Sequence, residues 1–268
     1  MIIVGELINA SRKKIKEAID KADADAIKEI ASNQVKAGAD YVDVNAGVYV
    51  GEEPEKLVWL VKTVQSVVEK PLALDSPDPK AIEAAMAAHN NEWGQPMLNS
   101  ISMEKDRWAK LSAVIANTQM KVVSLCMSDA GMPTTAVDRV KIAGDLVEGL
   151  TKLNIPLDNI YIDPLVQPVG TDYTFGIEFL KAVTEIKSKF AGVHIMCGLS
   201  NISFGLPERK FLNRIFMGQA VIAGLDGAII DPLDAPMMGT IAGATALAGK
   251  DKGCRGYLKA FRGGLVKA

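Results

Sequence analysis

Polar side chains that could bind a ligand recur where short apolar runs of this sequence end. They are carboxylic acids and amides: Glu6, Asn9, Asp43, Asn45, Asp75, Asn99, Asp163, Asn201 and Asp231, with Ser128 and Asp129 after one further run. Each alone has a structural explanation, because Asp before Pro and Asn before Ala-Gly often only cap turns. Burying all of them without partners would cost roughly 1–3 kcal/mol for each group. Together they predict a ligand that satisfies them.

These residue types favour a flat heterocyclic ligand with amide-like and guanidine-like edges. A carboxylate accepts two hydrogen bonds, one from a ring N–H and one from a neighbouring amino group. A carboxamide donates to one ring atom while it accepts from another. A pterin has edges of both kinds.

Histidine chemistry is poorly supported by the sequence. The chain has two histidines, and we place His89 on a helix and His194 in a strand. No Glu-x-x-His pair is present, so we expect no bound metal. The stretch GLSNI (198–202) differs from the G-x-S-x-G of serine hydrolases, and no histidine is well placed as its base.

The stretch HIMCGLSNISFG (194–205) contains the residue types most often used for nucleophilic and acid–base work. His194 and Cys197 fall inside its apolar run, so we assign them to strand and barrel packing, with at most one lining a pocket. We expect Gly198 to let the chain turn tightly out of the strand. That turn brings Asn201 to the strand end.

The elements that must position these residues alternate along the whole chain. Strands are predicted at 2–4, 41–44, 71–74, 96–98, 121–125, 159–162, 193–197 and 227–230. Helices are predicted at 24–38, 54–70, 78–90, 104–117, 136–154, 176–190, 209–224 and 235–249. Asp78 before Pro79 predicts a helix start, and Gly38 and Gly224 predict left-handed helix ends.

Eight βα units without a linker predict an α/β fold, a (β/α)8 TIM barrel formed by residues 1–268 as a single domain. An open doubly wound sheet would normally carry G-x-G-x-x-G after its first strand, and this sequence has GELINAS (5–11). In a barrel the carboxyl ends of all eight strands meet at one rim. The polar strand ends are therefore expected to meet there.

Composition agrees with a helix-covered parallel sheet and excludes several partner classes. Hydrophobic residues make up 49% of the chain and aromatic residues only 6%. The formal net charge of −2 predicts no nucleic-acid or membrane partner. Three cysteines without paired spacing, and no signal-like or membrane-spanning run, predict a cytoplasmic protein. We interpret residues 250–267 as a solvated tail packed by Tyr257, Leu258 and Phe261.

A set of short motifs in order along the chain resembles the pterin-binding methyltransferases. The motifs are GELIN (5–9), DVN (43–45), LDS (74–76), NS (99–100), YIDPL (161–165), GLSNISFG (198–205) and NRIF (213–216). The family includes methyltetrahydrofolate:corrinoid iron–sulfur protein methyltransferase, the folate module of cobalamin-dependent methionine synthase, and stand-alone methylcorrinoid:tetrahydrofolate methyltransferases. The resemblance covers nearly the whole chain and implies a TIM barrel of the dihydropteroate-synthase-like kind.

The resemblance also implies roles for the polar residues. Asp75, Asn99 and Asp163 would hydrogen-bond the pterin ring, with Asp43 beside them. Asn201 would be the catalytic residue, next to N5 of tetrahydrofolate. The supporting positions are Glu6, Asn9, Asn45, Phe204 and Asp231.

The implied reaction moves a methyl group between cobalamin and N5 of tetrahydrofolate. The chain lacks the D-x-H-x-x-G motif of corrinoid-carrying modules, so the cobalamin is expected on a corrinoid carrier protein. The resemblance further implies a homodimer. Phe204 matches the methionine-synthase-like form S-N-x-S-F and favours transfer from methylcob(III)alamin to tetrahydrofolate, as in methylamine or betaine demethylation.

Three alternatives remain at this point. The first is methyltetrahydrofolate:corrinoid iron–sulfur protein methyltransferase of the acetyl-CoA pathway. The second is dihydropteroate synthase, although INASRKK (8–14) matches its early Asn-x-Thr-Pro-Asp-Ser loop poorly. The third is a protein without turnover, either one that sequesters a pterin or a corrinoid or a barrel subunit kept for assembly.

Overall fold

A computed structural model describes residues 1–267 as a closed barrel of eight parallel strands in chain order. The strands are β1 (Ile2–Asn9), β2 (Tyr41–Asn45), β3 (Leu72–Asp75), β4 (Met97–Met103), β5 (Lys121–Ser128), β6 (Ile160–Asp163), β7 (His194–Gly198) and β8 (Gly227–Ile230). Parallel pairing of β1 with β8 closes the barrel. All eight predicted strands are confirmed. Three of them, β1, β4 and β5, run at least three residues further towards the carboxyl end than their apolar runs indicate.

Ten α-helices surround the barrel in the described residues. They are α1 (Lys13–Asp20), α2 (Ala24–Lys36), α3 (Glu53–Gln65), α4 (Pro79–Ala88), α5 (Lys105–Ile115), α6 (Ala136–Lys152), α7 (Phe175–Lys189), α8 (Arg209–Ala223), α9 (Ala235–Leu247) and α10 (Arg255–Arg262). The Asp78 side chain accepts a hydrogen bond from the Lys80 N–H and begins α4 as predicted. Gly38 and Gly224 have φ of +106° and +123°, which L side chains rarely adopt.

Two short helices, α1 and α10, were not predicted from the sequence. Ile15, Ala18 and Ile19 of α1 are buried at three- and four-residue spacing, but the helix has only eight residues. In α10, Leu258 and Phe261 are exposed and Ala260 is the buried residue, so the expected packing of the tail by those two side chains is wrong. The tail after α10 instead packs the main chain of Leu265 against Gly239 of α9.

The barrel interior is filled by one layer of side chains. It consists of Val4, Tyr41, Ala73, Met97, Val123, Tyr161 and Met196. The larger part of the core lies between the strands and the helices, where Ile27, Leu57 and Phe179 are fully buried. Burial stabilises each of these larger side chains by about 1.5–3 kcal/mol. The interior layer closes the barrel below the rim.

No helix of the described residues is long and apolar enough to span a membrane.

Candidate active site

Five of the predicted polar residues form the layer directly above the interior layer. Side chains two residues apart on a strand point to the same side. The site residues of β1, β2, β3, β4 and β6 each follow an interior residue by two positions: Val4 to Glu6, Tyr41 to Asp43, Ala73 to Asp75, Met97 to Asn99 and Tyr161 to Asp163. The alternation that buries the interior layer therefore directs five polar side chains into the mouth of the barrel.

Asp43 and Asn99 are joined across the mouth. The Asn99 Nδ2 donates to Asp43 Oδ1 at 3.0 Å, and only 3% of Asp43 is exposed. Burial raises the pKa of Asp43 well above its usual value, and the nearby negative charge of Asp75 raises it further. Asp43 therefore binds a proton more readily than an exposed aspartate does.

Asp75 lies between them, paired in strand register with Asn45 on one side and Asn99 on the other. Burial raises the pKa of Asp75 to about 6, with a partly opposing effect from the positive charge of Arg107. Two carboxyl groups with raised pKa values thus sit side by side at the ends of β2 and β3. Perturbed acids clustered in one cleft are typical of a functional site.

Asp163 is the acid on the opposite side of the mouth. It is buried, and its Oδ1 accepts from the Leu165 N–H at 2.8 Å. Burial raises the pKa of Asp163 to about 7, although main-chain hydrogen bonds from Leu165 and Gly198 and the charge of Arg139 oppose the rise. Its carboxyl group therefore changes charge near neutral pH.

Asn201 lies on a 3₁₀ turn, Leu199–Ser203, that follows β7 and is exposed at the rim. Two hydrogen bonds fix the turn: Val169 N–H to Ile202 C=O and Phe204 N–H to Asn201 C=O, both 3.0 Å. The turn is held to the loop after β6. Asn201 is thus presented to solvent at a fixed place on the rim.

Gly198 does not act as the sequence indicates. Its φ of −78° is open to any residue, so it is not needed for a tight turn. A Cβ built on Gly198 would meet no atom within 4 Å. Gly198 follows the interior residue Met196 by two positions, and its missing side chain leaves open space beside Asp163.

Several supporting residues hydrogen-bond main-chain groups of their own or a neighbouring loop. Asn9 Oδ1 accepts from the Ser11 N–H at 3.0 Å, and Asp231 Oδ1 accepts from the Leu233 N–H at 2.9 Å. Asn45 accepts from the Gly47 N–H at 3.1 Å and donates to the Asp75 carbonyl at 3.2 Å. Ser128 and Asp129 similarly bond main-chain N–H groups near the end of β5. These groups build turns around the mouth.

Glu6 and Phe204 differ from those turn residues. Glu6 Oε1 accepts from Arg12 Nη2 at 3.0 Å, and burial raises its pKa against the opposing effect of Arg12. Glu6, Ser200 and Asp231 line a cavity of about 170 Å³ at the edge of the mouth. Phe204 is 65% exposed and lies under the guanidinium of Arg209, 5.8 Å from its ring centre. It faces outward from the rim.

A family model described as pterin binding enzyme matches residues 5–231. The chain belongs to the pterin binding enzyme family. The matched region begins within β1 and ends just after β8, so it covers the whole barrel.

Two curated relatives indicate which members of the family this chain is similar to. The methylcorrinoid:tetrahydrofolate methyltransferase of Eubacterium limosum is 37% identical over 268 residues, covering 99% of this chain and 98% of the relative. The methionine synthase of Mycobacterium tuberculosis is 30% identical over 244 residues, which are 86% of this chain and 20% of that enzyme. The similarity to methionine synthase is therefore to one part of a much longer protein.

Solved structures support the fold of this pterin binding enzyme. A Yersinia pestis dihydropteroate synthase complex with a sulfonamide drug superposes with a TM-score of 0.69 at 13% identity, covering 95% of this chain and 94% of that one. The Coxiella burnetii enzyme with pteroic acid gives 0.66 at 16%, covering 92% and 93%. These identities are low, so the likeness establishes the dihydropteroate-synthase-like barrel alone.

The two histidines of this pterin binding enzyme lie away from the rim, and the strand cysteine is buried next to it. His194 begins β7, at the opposite end of the barrel, where its Nε2 lies 2.8 Å from Asp158. His89 follows α4, and its Nε2 accepts from the Leu72 N–H at 3.1 Å. Cys197 is fully buried, and burial raises its thiol pKa well above the usual value. Within residues 1–267, no group of three His, Cys, Asp or Glu residues is placed to hold a metal ion.

Three arginines beside the site were missed by the sequence reasoning. Arg107, Arg139 and Arg209 each donate to a main-chain carbonyl at the end of a strand or in the turn after it. The signal for Arg139 was present, because it occupies the buried face of α6 with Ala136 and Val140. A positively charged side chain on the apolar stripe of a helix indicates that a specific buried group must pair with it.

Proposed function

We propose that this chain is a methyltransferase that moves a methyl group between cobalamin on a corrinoid protein and N5 of tetrahydrofolate. We further propose that the favoured direction is from methylcob(III)alamin to tetrahydrofolate, giving 5-methyltetrahydrofolate. The observation that carries the proposal is the end-to-end similarity to a relative named methylcorrinoid:tetrahydrofolate methyltransferase. The chemistry of the rim supports it.

The layer of acids and amides fits a pterin ring. Asp75 and Asp163 would accept from the ring N–H and amino groups, and Asn99 would both donate and accept. Asp43 would hold Asn99 in orientation through their 3.0 Å hydrogen bond. A ligand that supplies donors would stabilise the charged forms of acids whose pKa values are raised by burial. The open space at Gly198 would leave room for the ring.

Asn201 would act at N5. In the favoured direction the N5 lone pair forms a bond to the methyl carbon, the cobalt–carbon bond breaks with its electron pair left on cobalt, and the N5 proton is released. A carboxamide can accept from N5–H before transfer and donate to the N5 lone pair of the product. Cobalamin on the partner supplies the methyl group or accepts it. The chain itself would contribute positioning and electrostatics rather than a covalent nucleophile.

We propose that a corrinoid carrier protein docks on the rim between the loops that follow β5, β6 and β7. Each loop exposes a large apolar side chain: Met132 is 59%, Tyr173 89% and Phe204 65% exposed. The three loops are tied together, because Gln167 donates to the Pro133 carbonyl and the Val169 N–H donates to the Ile202 carbonyl. Exposed apolar groups on connected loops are typical of a protein-binding surface.

We also propose a homodimer through the outer face of α8 and α9. Helix α9 has no charged residue in its thirteen positions, although its outer side is open. Ile215, Ile222 and Leu247 are exposed on this face, which also lines an apolar groove of about 650 Å³. Sedimentation of the wild type and of Ile222→Lys tests this, with a monomeric wild type as the contradicting result.

The remaining expectations about the chain are proposals of the same kind. We propose that residues 1–268 work as one domain, since β1 pairs with β8. We propose a cytoplasmic location, where the three free cysteines would stay reduced.

The direct test is methyl exchange by the purified protein. Methylcob(III)alamin and tetrahydrofolate are mixed with it, and cob(I)alamin is followed by absorbance under anaerobic conditions while 5-methyltetrahydrofolate is measured by chromatography. The reverse reaction is assayed with 5-methyltetrahydrofolate and cob(I)alamin. A parallel assay with dihydropterin pyrophosphate and p-aminobenzoate tests for dihydropteroate synthesis.

Methyl exchange in either direction supports the proposal, and the ratio of the two rates bears on the favoured direction. Tetrahydrofolate binding without exchange, using both free cobalamin and a corrinoid protein, would indicate a sequestering protein. Formation of dihydropteroate would overturn the proposal.

A further inference from the structure

Three arginine side chains donate hydrogen bonds to the main chain next to three residues of the site. Arg107 donates from Nε and Nη2 to the Ser100 carbonyl at 3.0 and 2.9 Å. Arg139 Nε donates to the Pro164 carbonyl, and Arg209 Nη2 donates to the Ser200 carbonyl, both at 2.7 Å. The three carbonyls belong to the immediate chain neighbours of Asn99, Asp163 and Asn201.

Arg139 is the most unusual of the three, since it is fully buried. Within residues 1–267 its guanidinium makes no ion pair and its Nη1 has no hydrogen-bond partner. Its partners are the Pro164 carbonyl and, at 3.4 Å, the Leu165 carbonyl. Burying a charge in this way costs several kcal/mol. An apolar side chain could fill a purely structural role at this position without that free-energy cost.

The geometry around Arg139 connects it to Asp163. Leu165 has φ of +65°, a conformation that non-glycine residues seldom adopt, and its N–H donates to Asp163 Oδ1 at 2.8 Å. Arg139 holds the carbonyls on both sides of that N–H. The guanidinium therefore fixes the peptide that orients the carboxyl group of Asp163.

Each of the other two arginines also donates to a serine hydroxyl group in the segment that it holds. Arg107 Nη2 also donates to Ser100 Oγ at 3.2 Å, and Arg209 Nε donates to Ser203 Oγ at 3.1 Å. Arg209 thereby joins the two ends of the turn that carries Asn201. All three arginines lie in the first turn of their helices, α5, α6 and α8, close to the rim.

We propose that Arg107, Arg139 and Arg209 are positioning residues that act through the main chain to set Asn99, Asp163 and Asn201 for tetrahydrofolate. The assignment of each effect to binding or to turnover rests on the proposed function. A planar guanidinium with several fixed donors suits this task, and a lysine ammonium has no such fork. Replacement by lysine keeps the charge but loses the geometry.

The test compares lysine and methionine variants at each position. Tetrahydrofolate affinity is measured by calorimetry without any corrinoid, and kcat and KM with methylcob(III)alamin as methyl donor. Arg107→Lys and Arg139→Lys should weaken tetrahydrofolate binding by about tenfold, with kcat at saturation within about threefold, because they displace ring-binding groups. Arg209→Lys should lower kcat by about tenfold with affinity nearly unchanged, since Asn201 acts at N5. Each methionine variant should show the larger loss in the same parameter.

Matched controls lie on the same helices. Lys110→Met on α5 and Lys141→Met on α6 remove exposed cations and should leave affinity, kcat and melting temperature unchanged. Hydrogen exchange of the 163–167 segment in Arg139→Met supplies a measurement that does not depend on the function. Exchange there should become faster while the barrel strands keep their protection.

Two results would overturn the inference. One is that the arginine variants lose melting temperature but keep wild-type affinity and kcat, together with unchanged exchange at 163–167. The other is that all three positions affect affinity and kcat equally. Failure of the proposed function would look different, since the wild type would then show no methyl exchange and Asp163→Asn would bind tetrahydrofolate like the wild type.

Discussion

Both ends of the barrel carry aspartates, but the pKa values of these aspartates are shifted in opposite directions at the two ends. At the amino-terminal end, Asp226 accepts from Lys187 at 2.8 Å and lies 3.7 Å from His194, which also contacts Asp158. Burial raises the pKa of Asp226, but the hydrogen bonds from His194 and Lys187 outweigh it and lower the pKa to about 2. Asp226 is therefore paired with Lys187 and His194.

At the carboxyl-terminal rim the acids are left largely without cations. Burial raises the pKa of Asp75 to about 6 and that of Asp163 to about 7, and it raises that of Asp43 as well. Cations are present nearby, but Arg107 and Arg139 hold main-chain carbonyls instead of these carboxylates. We infer from this difference that the amino-terminal end contributes stability, whereas the acids of the rim are left to bind a ligand. Substitutions at the two ends should therefore separate function from stability.

The largest effect is expected from Asn201→Ala. Turnover should fall by about a hundredfold, because a positioned group that exchanges hydrogen bonds with N5 is lost. Tetrahydrofolate affinity should change by less than about threefold, since Asn201 is exposed and the ring-binding acids remain. Calorimetry and steady-state kinetics check this; an equal loss in both would make Asn201 a binding residue only.

Asp163→Asn should weaken tetrahydrofolate binding by about 10- to 100-fold, as expected for a lost charged hydrogen bond. The same variant should be more stable than the wild type at pH 8. A folded-state pKa near 7 against about 3.9 in the unfolded chain means that stability falls as pH rises from about 4 to about 7. Denaturant unfolding of both proteins between pH 4 and 8 measures this. The same pH dependence of the free energy of unfolding in Asp163→Asn as in the wild type would contradict it.

Gly198→Val should fill the open space at the mouth. We expect about tenfold weaker tetrahydrofolate binding with little change in melting temperature, because the φ of −78° suits valine and no atom lies within 4 Å of the added Cβ. Gly198→Ala is the graded control and should have a smaller effect. A stable variant with wild-type affinity would place the ring elsewhere.

Asp226→Asn tests the opposite end and should change stability without changing activity. The free energy of unfolding should fall by about 1–2 kcal/mol at pH 7. This is less than the full pKa shift of Asp226 would give, because the ion pair is partly exposed. A lowered pKa contributes stability above pH ~4 that disappears as pH falls towards 2. Asp25→Asn, at a carboxylate that is 98% exposed, is the control and should leave stability unchanged.

The smallest effect is expected from His194→Gln. The carboxylates of Asp226 and Asp158 raise the pKa of His194, with burial opposing. Its stabilisation is therefore fully present below pH ~6.5 and disappears as pH rises through the folded-state pKa. The variant should lose less than about 1 kcal/mol at pH 5.5 and still less at pH 8.5. Loss of methyl transfer at either pH would contradict the assignment of His194 to packing.

Much of the fold could be predicted because its signals are local. Each strand is a short apolar run, and the polar residue that ends it falls on the interior side by the two-residue alternation. Asp43, Asp75, Asn99 and Asp163 were therefore predicted as a group and lie together in the mouth. Helix α1 was missed because five of its eight residues are lysines or acids, which leaves only three apolar positions to indicate a helix.

Other features depend on tertiary contacts that no local pattern encodes. The open space at Gly198 exists only because surrounding strands leave it, and its backbone angles alone do not require glycine. The sequence does not show that the side chains of Asn45 and Asp231 also accept hydrogen bonds from nearby main-chain N–H groups. The hydrogen bonds of the three arginines join positions six to 26 residues apart in the chain, from Arg209 with Ser203 to Arg139 with Leu165.

Pairing of the first strand with the last has a consequence for synthesis of the chain. Glu6 lies near the amino terminus on β1, while β8 begins only at Gly227. The ribosome must therefore make more than four fifths of the 268 residues before the barrel can close around its mouth. A nascent chain lacks the complete pocket until β8 has been made, so folate binding can stabilise the fold only after that point.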